Sequence, residues 1–251
     1  MTPSASETTG NTAVPMIQLD GVHLNLQSAA GEVKVLRGIN LRVERGERVG
    51  VGGPSGSGKS TMVMIIAGLE RASSGTVFVD GADLNRMDED ALALFRRRRI
   101  GIVFQSFHLI PAMTALENVA VPLELAGRAD AFERAGAALR SVGLDHRLGH
   151  YPAQLSGGEQ QRVAMARAFV PEPELILADE PTGNLDSETG AHVMDLLFDL
   201  QAKSGATLML ITHDSGLAAR CSRRVRLLDG RIAGDGADPG GAPPLAPGLA
   251  T

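Results

Sequence analysis

Residues 48–69 read RVGVGGPSGSGKSTMVMIIAGL. A short apolar segment, Arg48–Gly52, runs straight into a loop in which glycines alternate with small polar residues. An apolar stretch from about Lys59 to Leu69 follows and predicts a helix. Strand, glycine loop, helix is the order that a phosphate site requires. Glycines let successive backbone N–H groups point inward at an anion, and the helix behind them turns its positive end to the same place. Gly53-Pro54-Ser55-Gly56-Ser57-Gly58-Lys59-Ser60 matches G-x-x-x-x-G-K-[ST] at every fixed position. In that pattern Lys59 reaches the β- and γ-phosphates and the Ser60 hydroxyl ligates Mg²⁺. Thr61 is placed to touch the α-phosphate.

Upstream of this stretch the chain reads as antiparallel β. Ile17–Leu19, Val33–Leu36 and Ile39–Val43 cluster or alternate apolar residues. Downstream, Thr76–Asp80 and Ile102–Phe104 read as strands, and the pattern turns helical from about Phe107 to Phe169. Pro122 kinks or starts a helix there. Leu175–Ala178 and Leu208–Ile211 are continuous apolar runs, as in parallel strands buried on both faces. They end in Asp179-Glu180 and in Thr212-His213. Val225–Leu228, Asp229-Gly230 and Arg231–Ala233 predict a hairpin, because Asp-Gly suits a type I′ turn. In open α/β sheets ligands sit at the carboxyl ends of strands, so the glycine loop, Asp179-Glu180 and His213 can converge.

Composition bounds what such a site can serve. The chain has 251 residues, 43% apolar and 21% charged, which fits one α/β domain with a lobe inserted in it. Residues 1–14, rich in Ser, Thr, Gly and Pro, and 236–251, dominated by Gly, Pro and Ala, predict loose ends around a folded unit at 15–235. No apolar run approaches the ~20 residues of a membrane-spanning helix, and the start lacks the basic-then-apolar order of a signal peptide. The expectation is a cytoplasmic chain that needs a partner to act across a membrane. A net charge of −5 disfavours a general nucleic-acid binder. Arg96–Arg99 reads as a solvated helix end or as a contact with acidic lipid or a partner. The single cysteine, Cys221, has no His or carboxylate cluster beside it in sequence and reads as a structural thiol.

A second glycine-bearing stretch separates the many users of a phosphate loop. Leu155-Ser156-Gly157-Gly158-Glu159-Gln160-Gln161-Arg162 places a serine and two glycines just before an apolar helix, so hydroxyl, amides and helix end face outward together. Ser156 and Glu159 also have the spacing of a capping box. The stretch resembles, at each position, the signature sequence of ATP-binding-cassette (ABC) ATPases. The resemblance covers almost the whole chain. It implies a P-loop NTPase with a RecA-like core, an antiparallel β subdomain, and an α-helical signature subdomain inserted at about 107–165. It also implies that Ser156, Gly157, Gly158 and Glu159 reach across a homodimer to the γ-phosphate of ATP held by the partner's loop.

Further positions fit the same family. Asp179 resembles the aspartate that holds Mg²⁺, and Glu180 the base that orients the attacking water. Phosphoryl transfer needs positioning and charge neutralisation more than covalent chemistry. Gln105 matches the glutamine that senses Mg²⁺ and water, Asp186 of Asn184-Leu185-Asp186 the aspartate at the dimer seam, and His213 the histidine that bonds the γ-phosphate. One position departs from the pattern: Asn25-Leu26-Gln27-Ser28, where many relatives stack the adenine on an aromatic ring, has none. Leu26 or Val33 offers apolar contact instead, which predicts weak discrimination between ATP and GTP.

Gln105 and Ser156 are 51 positions apart, too few for a long coiled coil, and one nucleotide domain disfavours the translation-factor branch. Val103–Pro111, Thr114–Val119 and Ala178–Asp186 resemble the macrolide-export, lipoprotein-release and cell-division (FtsE-type) group, and within it the YbbA-like branch. That resemblance implies an ATPase, peripheral on the cytoplasmic face of the bacterial inner membrane, that drives a separately encoded FtsX/MacB-like permease. Phe107, Leu109 and Ile110 suit either a groove for the permease or the core of the helical lobe. Two other readings stand beside this one. A regulatory ABC ATPase would signal to cell-envelope enzymes without transport, and a P-loop kinase would need neither dimer nor Ser156.

Overall fold

The computed structural model describes residues 14–28 and 31–236. The two loose ends expected from sequence lie outside these residues apart from Val14 and Gly236, and Gly236 is paired with Arg224 in the last strand.

Strands β1 (Ile17–Ser28) and β2 (Gly31–Val43) form one long antiparallel pair, with β4 (Ser74–Val79) on the other side of β1 and short β5 (Ala82–Asp83) beyond it. The sequence divides β2 at Arg37-Gly38, yet the strand runs through. Gly38 takes a positive φ of 79° and the register slips around Val22 and His23 opposite, so a bulge absorbs the irregularity.

The second sheet holds the strand read first, β3 (Arg48–Gly52). Its order is β10-β9-β3-β8-β7-β6, where β6 is Ile100–Phe104, β7 Leu175–Asp179, β8 Thr207–Ile211, β9 Arg223–Leu228 and β10 Arg231–Gly236. All but β10 run parallel. Alternate side chains of β7 and β8 enter opposite cores, as the pleat demands. Leu175, Leu177, Met209 and Ile211 join β1–β4 and helix α1 (Lys59–Ile66) between the two sheets. Ile176, Ala178, Leu208 and Leu210 meet α6 (Ser187–Ser204) on the other face. Each such fully buried Leu, Ile or Met contributes about 1.5–3 kcal/mol.

Helix α2 (Glu89–Arg99) ends in Arg96–Arg99, capped at its start by the Asp88 carboxylate, which accepts from the Ala91 N–H. The arginine run is not all solvated. Arg96 donates to the Gly68 carbonyl, Arg97 to that of Leu125, and Arg99 pairs with Asp80 and Glu174. Helices α3 (Ala115–Leu125), α4 (Ala131–Ser141) and α5 (Gly157–Phe169) build the lobe around Val119, Leu123, Leu139 and Val163. The helical pattern expected from Phe107 begins later, at Ala115, because residues 107–114 are a loop tied to α3 by buried Asn118. Its amide donates to the carbonyls of Ile110, Met113 and Thr114 and accepts from the Ile110 N–H. Leu109 packs on the lobe, as the core reading expects, while Ile110 stays exposed. Pro122 lies inside α3. Short α7 (Ser215–Ala218) leads to Cys221, which is buried, and burial pushes its thiol up to about 11. The thiol is therefore neutral and inert.

The hairpin expected at Asp229-Gly230 forms, with φ of 47° and 72° at the two turn residues. Gly230 reaches further than its own strands. Its N–H donates to the Ser57 carbonyl (3.1 Å) and its carbonyl accepts from the Arg37 N–H (2.8 Å). A Cβ there would stand 2.4 Å from the Val35 carbonyl oxygen. The turn thus ties the phosphate loop to β2.

Candidate nucleotide site

Register decides which side chains meet. Phe104 pairs with Asp179, Asp179 with Ile211, and Ile211 with Val51, so β6, β7, β8 and β3 end abreast. The next residues, Gln105, Glu180, Thr212 and Gly52, therefore emerge side by side. A cleft of about 540 Å³ opens in front of them, lined by the glycine loop, Ser60, Thr61, Gln105, Glu180 and His213.

In the loop, Gly53, Gly56 and Gly58 have φ of 146°, 75° and 100°, angles that leave the amides free to face an anion. Lys59 is largely buried, and its ammonium donates to the carbonyls of Gly53 (2.9 Å) and Pro54 (2.8 Å). Pro54, Ser55 and Gly56 are exposed at the loop tip, and the buried Ser57 hydroxyl has no protein partner.

Glu180 has a φ of 47°, a costly angle for a residue with a Cβ. Its N–H donates to the Ile211 carbonyl (3.0 Å), which locks it to β8. His213, well exposed, donates from Nδ1 to Glu180 Oε2 at 2.8 Å. Asp179 Oδ1 is buried without a hydrogen-bond partner. Asp179 does not itself line the cleft, but a buried orphan acceptor at the end of β7, abreast of the strand that leads into the glycine loop, fits a hydrated divalent cation. Among the described residues no group of three or more His, Cys, Asp or Glu could hold a metal alone. A Mg²⁺ ion at this site would therefore share Ser60 and Asp179 with phosphate oxygens.

Gln105 stands on the other wall. Its amide donates to Asn184 Oδ1 (3.1 Å), and Asn184 Nδ2 donates back to the Gln105 carbonyl (3.1 Å). Asp186, two residues on, caps α6 by accepting from the Thr189 N–H at 2.9 Å. That bond is the chief reason its carboxyl is held below the ordinary range.

Ser156 to Glu159 stand apart from this cleft. The Ser156 hydroxyl accepts from the Glu159 N–H (3.3 Å), and the Glu159 carboxylate accepts from the Ser156 N–H (2.8 Å), completing the expected capping box. Arg147 adds a third contact, Nε to Oε1 at 2.9 Å. The Glu159 carboxyl is accordingly held low, chiefly by the Ser156 N–H. Its side chain is thus taken up by the cap of α5 and by Arg147. A Cβ on Gly158 would meet Thr189 Cγ2 at 2.4 Å, so close approach of α5 and α6 demands that glycine. Ser156, Gly158 and Glu159 line a second cavity of about 420 Å³, with no residue of the phosphate loop. One chain brings together Gly53–Thr61, Gln105, Glu180 and His213, and leaves the serine-glycine tip elsewhere.

Three side chains to which the sequence reading gave no role tie these parts together. Asn184 clasps Gln105. Gln161, fully buried on α5, donates to the carbonyls of Phe104 (3.3 Å) and Pro181 (2.6 Å). Arg167, also on α5, holds the loop after Gln105. The visible signal for Arg167 is a cation set among the apolar residues of Val163–Phe169.

The model of one family, ABC transporter, matches residues 36–183. The ABC transporter ATP-binding protein YbbA of Escherichia coli K12 is 52% identical over 214 residues, covering 84% of this chain and 94% of that protein. The lipoprotein-releasing system ATP-binding protein LolD of Geobacter metallireducens is 51% identical over 210 residues, covering 83% and 93%. Among solved structures, the dimeric post-hydrolysis state of the ATP-binding cassette MJ0796 bound to ADP and Pi superposes with a TM-score of 0.83 at 41% identity. It covers 88% of this chain and 98% of that one.

Proposed function

The chain belongs to the ABC transporter family, as an ATP-binding and ATP-hydrolysing cassette of the YbbA and LolD group, and on that premise we propose how its residues divide the work. Gly53–Thr61 cradle the phosphates of ATP, with Lys59 exchanging its two loop carbonyls for β- and γ-phosphate oxygens. Ser60, Asp179 and Gln105 hold the magnesium ion, which when bound neutralises charge on the terminal phosphates. Glu180 orients and polarises the attacking water, and His213, which bonds Glu180 in the nucleotide-free chain, turns to the γ-phosphate. Asp186 lies at the seam with a second copy, whose Ser156, Gly157, Gly158 and Glu159 backbone close the site from the other side.

The observation that carries this reading is the separation of the two cavities. A serine-glycine helix tip built to face an anion and a phosphate cleft without a lid lie apart in one chain. They complete one another when two copies pack head to tail, and the cassette MJ0796 is itself dimeric. Among the described residues no helix is long and apolar enough to cross a membrane. The work of closure then passes to a separate membrane permease, with the cassette peripheral on the cytoplasmic face of the inner membrane. Exposed Ile110 is the large apolar residue of the loop after Gln105 that would touch that permease.

The test is Glu180→Gln. The variant should bind Mg-ATP, lose steady-state turnover by at least about a thousandfold, as removal of a chemical-step residue can, and elute as an ATP-dependent dimer. Robust hydrolysis by the folded variant would remove Glu180 from its role.

A further inference from the structure

The loop that carries Gln105 away from β6 is held in an unusual shape. Phe107 and His108 have φ of 49° and 48°, two successive residues with a Cβ in the left-handed region. Such residues occur there singly and at a cost, and they persist only where the surroundings over-determine them. What over-determines them is Arg167. Its Nη1–H donates to the His108 carbonyl at 2.7 Å and its Nη2–H to the Phe107 carbonyl at 2.9 Å. The Phe104 and His108 rings meet edge to face, their centroids 4.9 Å apart.

Arg167 is an expensive way to hold a loop. Its side chain is half-buried, no carboxylate among the described residues pairs with it, and desolvation draws its pKa down. A half-buried guanidinium that donates to two backbone carbonyls and to no carboxylate is placed for geometry rather than charge balance. The same helix grips the chain on the other side of Gln105, through Gln161 on the Phe104 carbonyl. Helix α5 begins at the Ser156 tip, so one rigid element connects that tip to both flanks of Gln105.

We propose that Arg167 is a positioning residue for ATP hydrolysis, which clamps the Phe107 and His108 carbonyls in a left-handed turn and thereby fixes where Gln105 stands against the bound nucleotide. This rests on the role given to Gln105 above. The chemistry itself is unchanged by Arg167; it acts through the loop. Without the clamp, residues 107 and 108 relax to negative φ, the chain leaves β6 in another direction, and Gln105 is displaced. A displacement of about 1 Å at a reacting centre costs up to about a hundredfold in rate.

The experiment compares the full chain with Arg167→Met, Arg167→Lys and Gln105→Ala, reading Mg-ATP affinity by titration calorimetry, kcat by phosphate release, and melting temperature. Arg167→Met should keep its Kd for Mg-ATP within about threefold and lose about tenfold to a hundredfold in kcat. Arg167→Lys, with one donor head in place of the fork, should fall between. Adding His108→Gly to Arg167→Met should restore part of the lost kcat, since glycine takes a φ near 48° unaided. A folded Arg167→Met with wild-type kcat overturns the proposal, as does a double variant with no recovery. If Arg167→Met fails to fold, a wild-type kcat in Arg167→Lys overturns it and a lowered kcat at unchanged Kd supports it. Gln105→Ala separates the two layers. Unchanged turnover in that variant overturns the reading of Gln105 and this proposal with it, whereas slow turnover there with normal Arg167 variants sinks this proposal alone.

Discussion

Leu26 and Val33 face each other across β1 and β2 and are 45% and 49% exposed. They form a small apolar platform above the strand that carries Val35 to the rim of the phosphate cleft. A platform of aliphatic side chains gives a purine contact area but no π-face, and stacking on an aromatic is worth about 1–3 kcal/mol. ATP and GTP should therefore bind with affinities within a few fold of each other, and Leu26→Tyr should tighten both. A hundredfold preference for ATP in the wild-type chain would contradict this. At this scale most of the candidate site was legible in sequence, because a phosphate cradle needs consecutive amides and so leaves a contiguous motif. Asn184, Gln161 and Arg167 were not legible. Their partners lie 79 positions away for Asn184, 57 and 20 for Gln161, and 59 and 60 for Arg167, and a polar side chain bonded to a distant group leaves no local pattern.

At the scale of elements, the capping boxes of α3 and α5 show how short polar signals fix loop-to-helix junctions. In α3 the Thr114 hydroxyl accepts from the Glu117 N–H, and the Glu117 carboxylate accepts from the Thr114 N–H at 2.7 Å. The backbone bond is the chief cause that holds the Glu117 carboxyl below its ordinary 4.5. A lowered carboxyl adds stability above the unfolded pKa and loses it as pH falls through the folded one. Glu117→Gln should thus unfold at lower urea than wild type at pH 7, with the gap closing below pH 4.5. Thr114→Ala, which removes the cap hydroxyl, should cost about 1 kcal/mol at neutral pH. Strands β3, β7 and β8 were readable because burial on both faces makes them continuous apolar runs. Helix α2 was harder. Its apolar face is only Ala91, Leu92 and Phe95 before four arginines, and its pairing with Gly68, Leu125 and Asp80 depends on tertiary neighbours. The break read at Arg37-Gly38 failed for a related reason, since a bulge is set by the partner strand.

At the scale of the molecule, the two half-sites make a prediction about mixtures. Glu180→Gln and Ser156→Arg chains should each be inactive alone. Mixed, a head-to-tail pair joins the intact phosphate cleft of one to the intact helix tip of the other. Turnover should reappear that neither parent shows, rising with the ratio until the two are equal. A mixture that stays silent while both variants bind ATP and pair would mean that each chain works alone.

The turn at Gly230 adds a consequence in time. The phosphate loop is written near the start of the chain, at Gly53–Ser60, but one of its carbonyls and the strand beside it are fastened by a residue near the end. During synthesis the loop leaves the ribosome long before its fastener exists. A nascent chain halted short of Gly230 should fail to retain a fluorescent ATP analogue that the same chain holds once β9 and β10 have emerged.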